Sequence, residues 1–417
     1  MLELKKIASS RLISNIYNQF ILYGFSHIIP IILIPYLLNT IGVEKYGLIN
    51  FILAFSFYFQ IVNEFGFDLS NVKHVVTNRE NPNELSRILS AILSCKCLII
   101  ICTSIVYFAI VFFFEDMRNN ILAYTFAFIR QIGIIMSPYW FFRSMENIKY
   151  ITRIVIPIKT LCILPIFFVV TSEDNYIWVM FFYTLETTIS GIISLSLVIK
   201  KYNLRLRLVP FSDILYFFKD SIPFFTSTFL MRIYKNSNVV ILGMFCSDFL
   251  VGIYSAAEKL HNAYSSFISP LLSQIFYPYF TRVSNFKIIN KIVLAVCIGN
   301  IALLALVYIL SPIIIPLFIK EVASSIILYF NLFLILLAIS VPVDMLGFPY
   351  LGVMKMVNKV NSTTIYTSAI YIIGVIIFML LGYISVLNMI LLLIIANIAC
   401  LIMRLYYIRK NKSSILA

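Results

Sequence analysis

Six basic side chains stand inside long apolar stretches of this 417-residue chain: Lys96, Arg130, Lys159, Arg232, Lys235 and Lys259. Three acids share that setting, Glu186, Glu258 and Asp344, with Glu64 at the edge of a stretch and His27 and His261 within others. An ionisable group in apolar surroundings is costly and persists where it meets water, a partner or a ligand. Counting helical rise from the ends of the stretches puts Arg232 about 15 Å deep, with Arg130 and Glu186 at similar depth. Lys96 and Lys159 lie nearer one surface. Glu258, Lys259 and His261 lie nearer the other. Without Glu64, the set carries three more positive than negative charges. Such a balance suits an anionic ligand. Glu186, Glu258, Asp344 and His27 suit a proton or a sodium ion, or charge pairing with the cations; Arg130–Glu186 and Arg232–Asp344 are possible structural pairs.

Helical spacing groups these residues. Thr228, Arg232, Lys235 and Asn236 share one face, as do Tyr183, Glu186, Thr187, Ser190 and Ser194, and Tyr254, Glu258, His261 and Ser265. Polar faces recur among broad apolar ones, the pattern of a bundle around a wet interior. The sequence contains no nucleotide-binding loop, metal-spaced cluster or catalytic triad, so no cofactor and no enzymatic activity are expected. The seven cysteines follow no metal or redox spacing and read as small membrane-buried hydrophobes.

The elements that must hold these groups are membrane helices. Of the residues, 61% are hydrophobic and 12% charged, where a soluble protein is about one-quarter charged. Twelve apolar stretches are each long enough to cross a bilayer: 12–38, 46–66, 87–114, 119–142, 151–171, 176–199, 222–245, 250–280, 292–319, 324–353, 362–381 and 384–407. Strands are not expected. The loops on one side carry 23 basic residues, Arg404 counted among them, and those on the other carry 3. That asymmetry places both termini in the cytoplasm and removes nucleic acid as the reason for the +14 net charge. The outer connections are short, which speaks against a polysaccharide polymerase. A basic linker contains an amphipathic segment, Phe211–Lys219, suited to a membrane surface. It divides the chain into an N-terminal six-helix bundle (1–200), the linker (201–221) and a C-terminal six-helix bundle (222–417). The expected fold is all-α, with two six-helix bundles around a central cavity. Pro342, Gly347 and Pro349 predict a broken tenth helix, and Pro30 and Pro35 a loosened first one.

Three stretches carry a family resemblance. Pro35-Tyr36, Gly42, Tyr46-Gly47 and Glu64-Phe65-Gly66-Phe67-Asp68 form the first. Asn238, Gly243, Val251 to Lys259 and Pro278 form the second, and Pro138-Tyr139-Trp140-Phe141-Phe142 the third. Together they resemble Wzx-type O-antigen flippases, in the polysaccharide-transport branch of the multidrug/oligosaccharidyl-lipid/polysaccharide exporter superfamily. The resemblance implies transport of an undecaprenyl-diphosphate-linked oligosaccharide from the inner to the outer leaflet of a bacterial inner membrane. It implies alternating access, driven by an ion or by the cargo gradient. The diphosphate would meet Arg130, Lys159, Arg232, Lys235 and Lys259. Partners would be membrane lipid, an O-antigen polymerase and a chain-length regulator. A drug/cation antiporter of the same superfamily is the main alternative, and it predicts an acidic cavity instead.

Overall fold

The computed structural model describes residues 2–283 and 285–411; the side chains of 2–16, 20, 23, 227, 230, 231 and 233–235 fall outside the described set. Every described element is helical. The order begins α1 (Leu2–Thr40), α2 (Gly42–Glu64), α3 (Phe67–Thr77), α4 (Pro82–Phe113), α5 (Glu115–Asn119), α6 (Ile121–Met136), α7 (Tyr139–Ser144), α8 (Lys149–Ile163) and α9 (Ile166–Val169). It continues with α10 (Tyr176–Lys201), α11 (Phe211–Phe245), α12 (Asp248–Leu271), α13 (Tyr277–Val283), α14 (Phe286–Phe318), α15 (Ala323–Met345), α16 (Val357–Leu381) and α17 (Val386–Lys410).

The predicted stretches overlap helices, some of them interrupted: 119–142 runs over α5, α6 and α7, and 151–171 over α8 and α9. Among the described residues, ten helical segments are long and apolar enough to span a membrane. The other two stretches lie on α11 and α12. Their charged and polar side chains, among them Arg232, Lys235, Glu258, Lys259, His261 and Asn262, dilute the apolar run. The outward faces are apolar: Phe113, Phe168, Leu317 and Leu380 are almost fully exposed. Water would penalise that surface, whereas acyl chains do not.

Local sequence sets the helix ends. Asn81 accepts the N–H groups of Asn83 and Glu84, with Pro82 opening α4. Asn285 caps α14 and Ser385 caps α17 in the same way. Helix α1 runs on through Pro30 and Pro35. The predicted break after α15 is present: Leu346–Leu351 forms a π-turn, and Gly347 has non-helical angles (φ −72°, ψ −124°).

The chain forms two compact units. The first comprises residues 1–26 and 49–237. Its core gathers Phe67, Ile88, Leu89, Ile92, Trp140, Phe141, Phe142 and Phe217. Helices α6 and α10 meet backbone to backbone, since side chains at Gly133 and Gly191 would collide with Thr187 and Gly133 respectively. The second unit comprises residues 27–48 and 238–417. Its core includes Leu272, Phe280, Ile289, Val341, Met345 and Tyr350. Here the start of α2 lies against the start of α12. A Cβ at Gly47 would meet the Asp248 carbonyl, and one at Gly252 the Val43 carbonyl oxygen.

Candidate functional site

Within the first unit, α6, α8 and α10 bring together Arg130, Lys159 and Glu186. Each is partly buried. Glu186 interacts electrostatically with both cations, and Lys159 with Arg130. Among the described residues, none of the three closes an ion pair within 4.0 Å. One carboxylate thus faces two cations at a distance, leaving an excess positive charge and donors able to take an oxyanion. The glycine contact between α6 and α10 is what draws these positions together.

A second pair in this unit corrects the expected partner of Arg232. Its guanidinium is bonded to Glu64, not Asp344, and Gln60 donates to the same carboxylate (2.7 Å). Arg232 is still 39% exposed, against 13% for Glu64. Next to these residues in sequence, Asn63 donates to Gln131 (2.8 Å) and accepts from Thr103 (2.7 Å). That buried amide contact ties α2 to α6, so Glu64 and Arg130 lie at the same level of the unit, each about 100° round its helix from the tie. Lys96 is buried and approaches Asp68 at 3.8 Å. The side chain of Lys235 lies outside the described residues. His74, which gives no sequence signal, sits on α3 and hydrogen-bonds Asp220 (3.0 Å).

The second unit holds the other candidates. Tyr371 donates to Asn238, Asn238 donates to Tyr254 (2.8 Å), and Tyr254 donates to Glu258 (3.0 Å). The first three are buried, and Glu258 is partly exposed. The chain crosses α16, α11 and α12, and every donor points toward the carboxylate. Tyr254→Phe leaves the Asn238 amide and Glu258 each short of a partner in a low-dielectric interior. We expect a loss of about 1–3 kcal/mol, read as a lower midpoint in a thermal unfolding assay in detergent. Lys259 donates to Tyr46 (3.1 Å) and lies over its ring at 4.9 Å. His261 packs on Phe333, and Asp344 accepts from Ser269 (2.5 Å). His27 is partly buried on α1.

Arg404 departs from its sequence assignment as a loop cation. It is buried within α17 and donates to the Val343 carbonyl and to Thr363 and Thr364 (both 3.3 Å). A side chain at Gly347 would strike this guanidinium. The available signal was the apolar continuation Leu405-Tyr406-Tyr407-Ile408, which keeps position 404 inside the helix. Sequence spacing grouped Tyr254 with Glu258, but the roles of Asn238 and Tyr371 require tertiary contact. Among the described residues, no group of His, Cys, Asp or Glu is placed to hold a metal ion.

Comparison with known proteins gives a consistent picture. A family model described as "Polysaccharide biosynthesis protein" matches residues 12–284. A protein of Escherichia coli (strain K12) named "Putative O-antigen transporter" is 23% identical over 67% of this chain and 66% of its own length. One of the same name from Shigella dysenteriae is 23% identical over 67% of this chain and 69% of its own. Among solved structures, the lipid II flippase MurJ in an inward closed conformation aligns with a TM-score of 0.73 at 15% identity, over 94% of this chain and 87% of that one. An inward-facing multidrug resistance transporter of the MATE family, in the MOP superfamily, aligns with a TM-score of 0.65 at 12% identity, over 93% and 98%. The fold is therefore one shared with these membrane transporters.

Proposed function

Because the chain belongs to the polysaccharide biosynthesis protein family, we propose that it is a flippase for undecaprenyl-diphosphate-linked O-antigen oligosaccharides. It moves them from the inner to the outer leaflet of the bacterial inner membrane by alternating access. The observation that carries the reading is the placement of Arg130 and Lys159 around a single carboxylate, Glu186, on helices apolar enough to span a membrane. That arrangement offers a diphosphate two cationic partners without first breaking an ion pair. In this reading, twelve helices form two bundles, 1–200 and 222–417, joined by residues 201–221, with both termini cytoplasmic. Arg232 and Lys235 are further cationic candidates on the first unit, and Lys259 is one on the second. Glu258, at the end of its hydrogen-bond chain, is the leading candidate for ion coupling, with Asp344, Glu186 and His27 as further candidates for a proton or sodium ion. A drug/cation antiporter would call for acids in excess, the opposite sign to the Arg130–Lys159–Glu186 group.

The test is deletion of the gene in its host. The expected strain lacks long-chain surface polysaccharide and accumulates lipid-linked oligosaccharide units on the inner leaflet. Undiminished surface glycan in that strain overturns the proposal. Chemical identification of the accumulated glycan gives the cargo.

A further inference from the structure

The strip joining α10 to the deeper part of α11 is clamped along one side and bare along the other. Leu204 and Phe217 are buried in the first unit's core. Between them, Ser86 and Ser90, one turn apart on α4, accept the backbone N–H groups of Arg205 (3.0 Å) and Arg207 (3.1 Å). Arg87 donates twice to Asp213 (2.8 and 3.0 Å). Ser70 bonds Ser221 (2.6 Å), and His74 bonds Asp220. The Arg87 guanidinium holds the Asp213 carboxyl below the usual carboxylate range, so this clamp is lost only as pH falls through that lowered value. The strip is thus a fixed surface.

Its bare side is unusual for a polar connection. Leu208 is 101% exposed, Phe211 70% and Leu206 51%. The exposed charges are all positive, at Lys200, Lys201, Arg205, Arg207 and Lys219, because both acids, Asp213 and Asp220, are turned to partners in the clamp. Arg207 donates to the Asn83 carbonyl (3.2 Å) and Lys201 to Tyr150 (2.7 Å), but among the described residues none of these cations closes an ion pair within 4.0 Å. Apolar side chains flanked by such cations match the boundary between acyl chains and anionic headgroups. We propose that residues 204–219 dock on anionic phospholipid of the adjoining leaflet. Leu206, Leu208 and Phe211 enter the acyl region while Arg205, Arg207 and Lys219 meet phosphates. The inference does not depend on what the protein transports.

The experiment uses the full chain carrying Leu208→Trp, reconstituted in vesicles of phosphatidylcholine alone or mixed with phosphatidylglycerol. The signal is the difference from the parent protein, whose tryptophans are Trp140 and Trp178. Bromine-labelled acyl chains should quench the new tryptophan, and more strongly when the label is on phosphatidylglycerol. Adding Arg205→Gln and Arg207→Gln keeps the backbone bonds to Ser86 and Ser90. It should lower the phosphatidylglycerol preference about fivefold per arginine removed. Quenching that is equal for both lipids overturns the anionic recognition. A tryptophan quenched by aqueous iodide but not by either lipid overturns the docking.

Discussion

Arg130→Ala reduces export of lipid-linked oligosaccharide about 10- to 100-fold at equal expression, and Glu186→Gln does not rescue it. The expectation follows from geometry. Glu186 faces Arg130 and Lys159 together and closes a direct pair with neither. Removing Arg130 takes away the forked donors that grip a diphosphate, and Glu186→Gln restores the group's net charge but not those donors. A charge-assisted hydrogen bond is worth about 1.5–3 kcal/mol, which is the size of the predicted loss. Arg232 should behave differently, because its guanidinium is already bonded to Glu64. Arg232→Ala strands a carboxylate of 13% exposure, so Glu64→Gln should restore much of the lost activity. The measurement is surface-polysaccharide recovery in the deletion strain, with protein level checked by immunoblot. Rescue of Arg130→Ala by Glu186→Gln would recast that group as a structural charge balance.

Gly252→Val prevents accumulation of folded protein. A Cβ at this position falls on the backbone carbonyl of Val43. Backbone cannot rotate aside as a side chain does, so α12 must separate from the start of α2. Gly47 faces the same contact from the other direction, where its Cβ would lie 2.8 Å from the Gly252 nitrogen. Overpacking costs about 1–3 kcal/mol where side chains can adjust, and this site should cost at least the upper figure. Gly299→Ala is the matched control: nothing lies within 4 Å of its added carbon. On size exclusion in detergent, the control should elute as a single peak like the parent, and Gly252→Val should give aggregate or no protein. A monodisperse Gly252→Val sample would show that the helices separate without loss of fold.

The helices were legible because the bilayer writes them plainly. Long apolar stretches with loops of opposite charge bias leave little choice of secondary structure, and the Pro342-Gly347-Pro349 spacing located the break in α15. Partners were less legible. Helical spacing placed Arg130 and Glu186 at similar depth on different stretches. Which acid meets which base depends on helix order and rotation, which a single sequence does not encode locally. Hence Arg232 found Glu64, a residue read as lying at the edge. Arg404 reads as a loop cation because charge near the end of an apolar run ordinarily marks a surface. Its burial depends on Val343 and Thr363, many residues away.

Arg404 also imposes an order on biosynthesis. The ribosome delivers α15 before α17, so the bend at Val343 gains its bond from the Arg404 guanidinium only after α17 has been made. α17 therefore locks a bend made earlier in synthesis, and a chain truncated before Arg404 should be degraded faster by membrane quality-control proteases than the full chain.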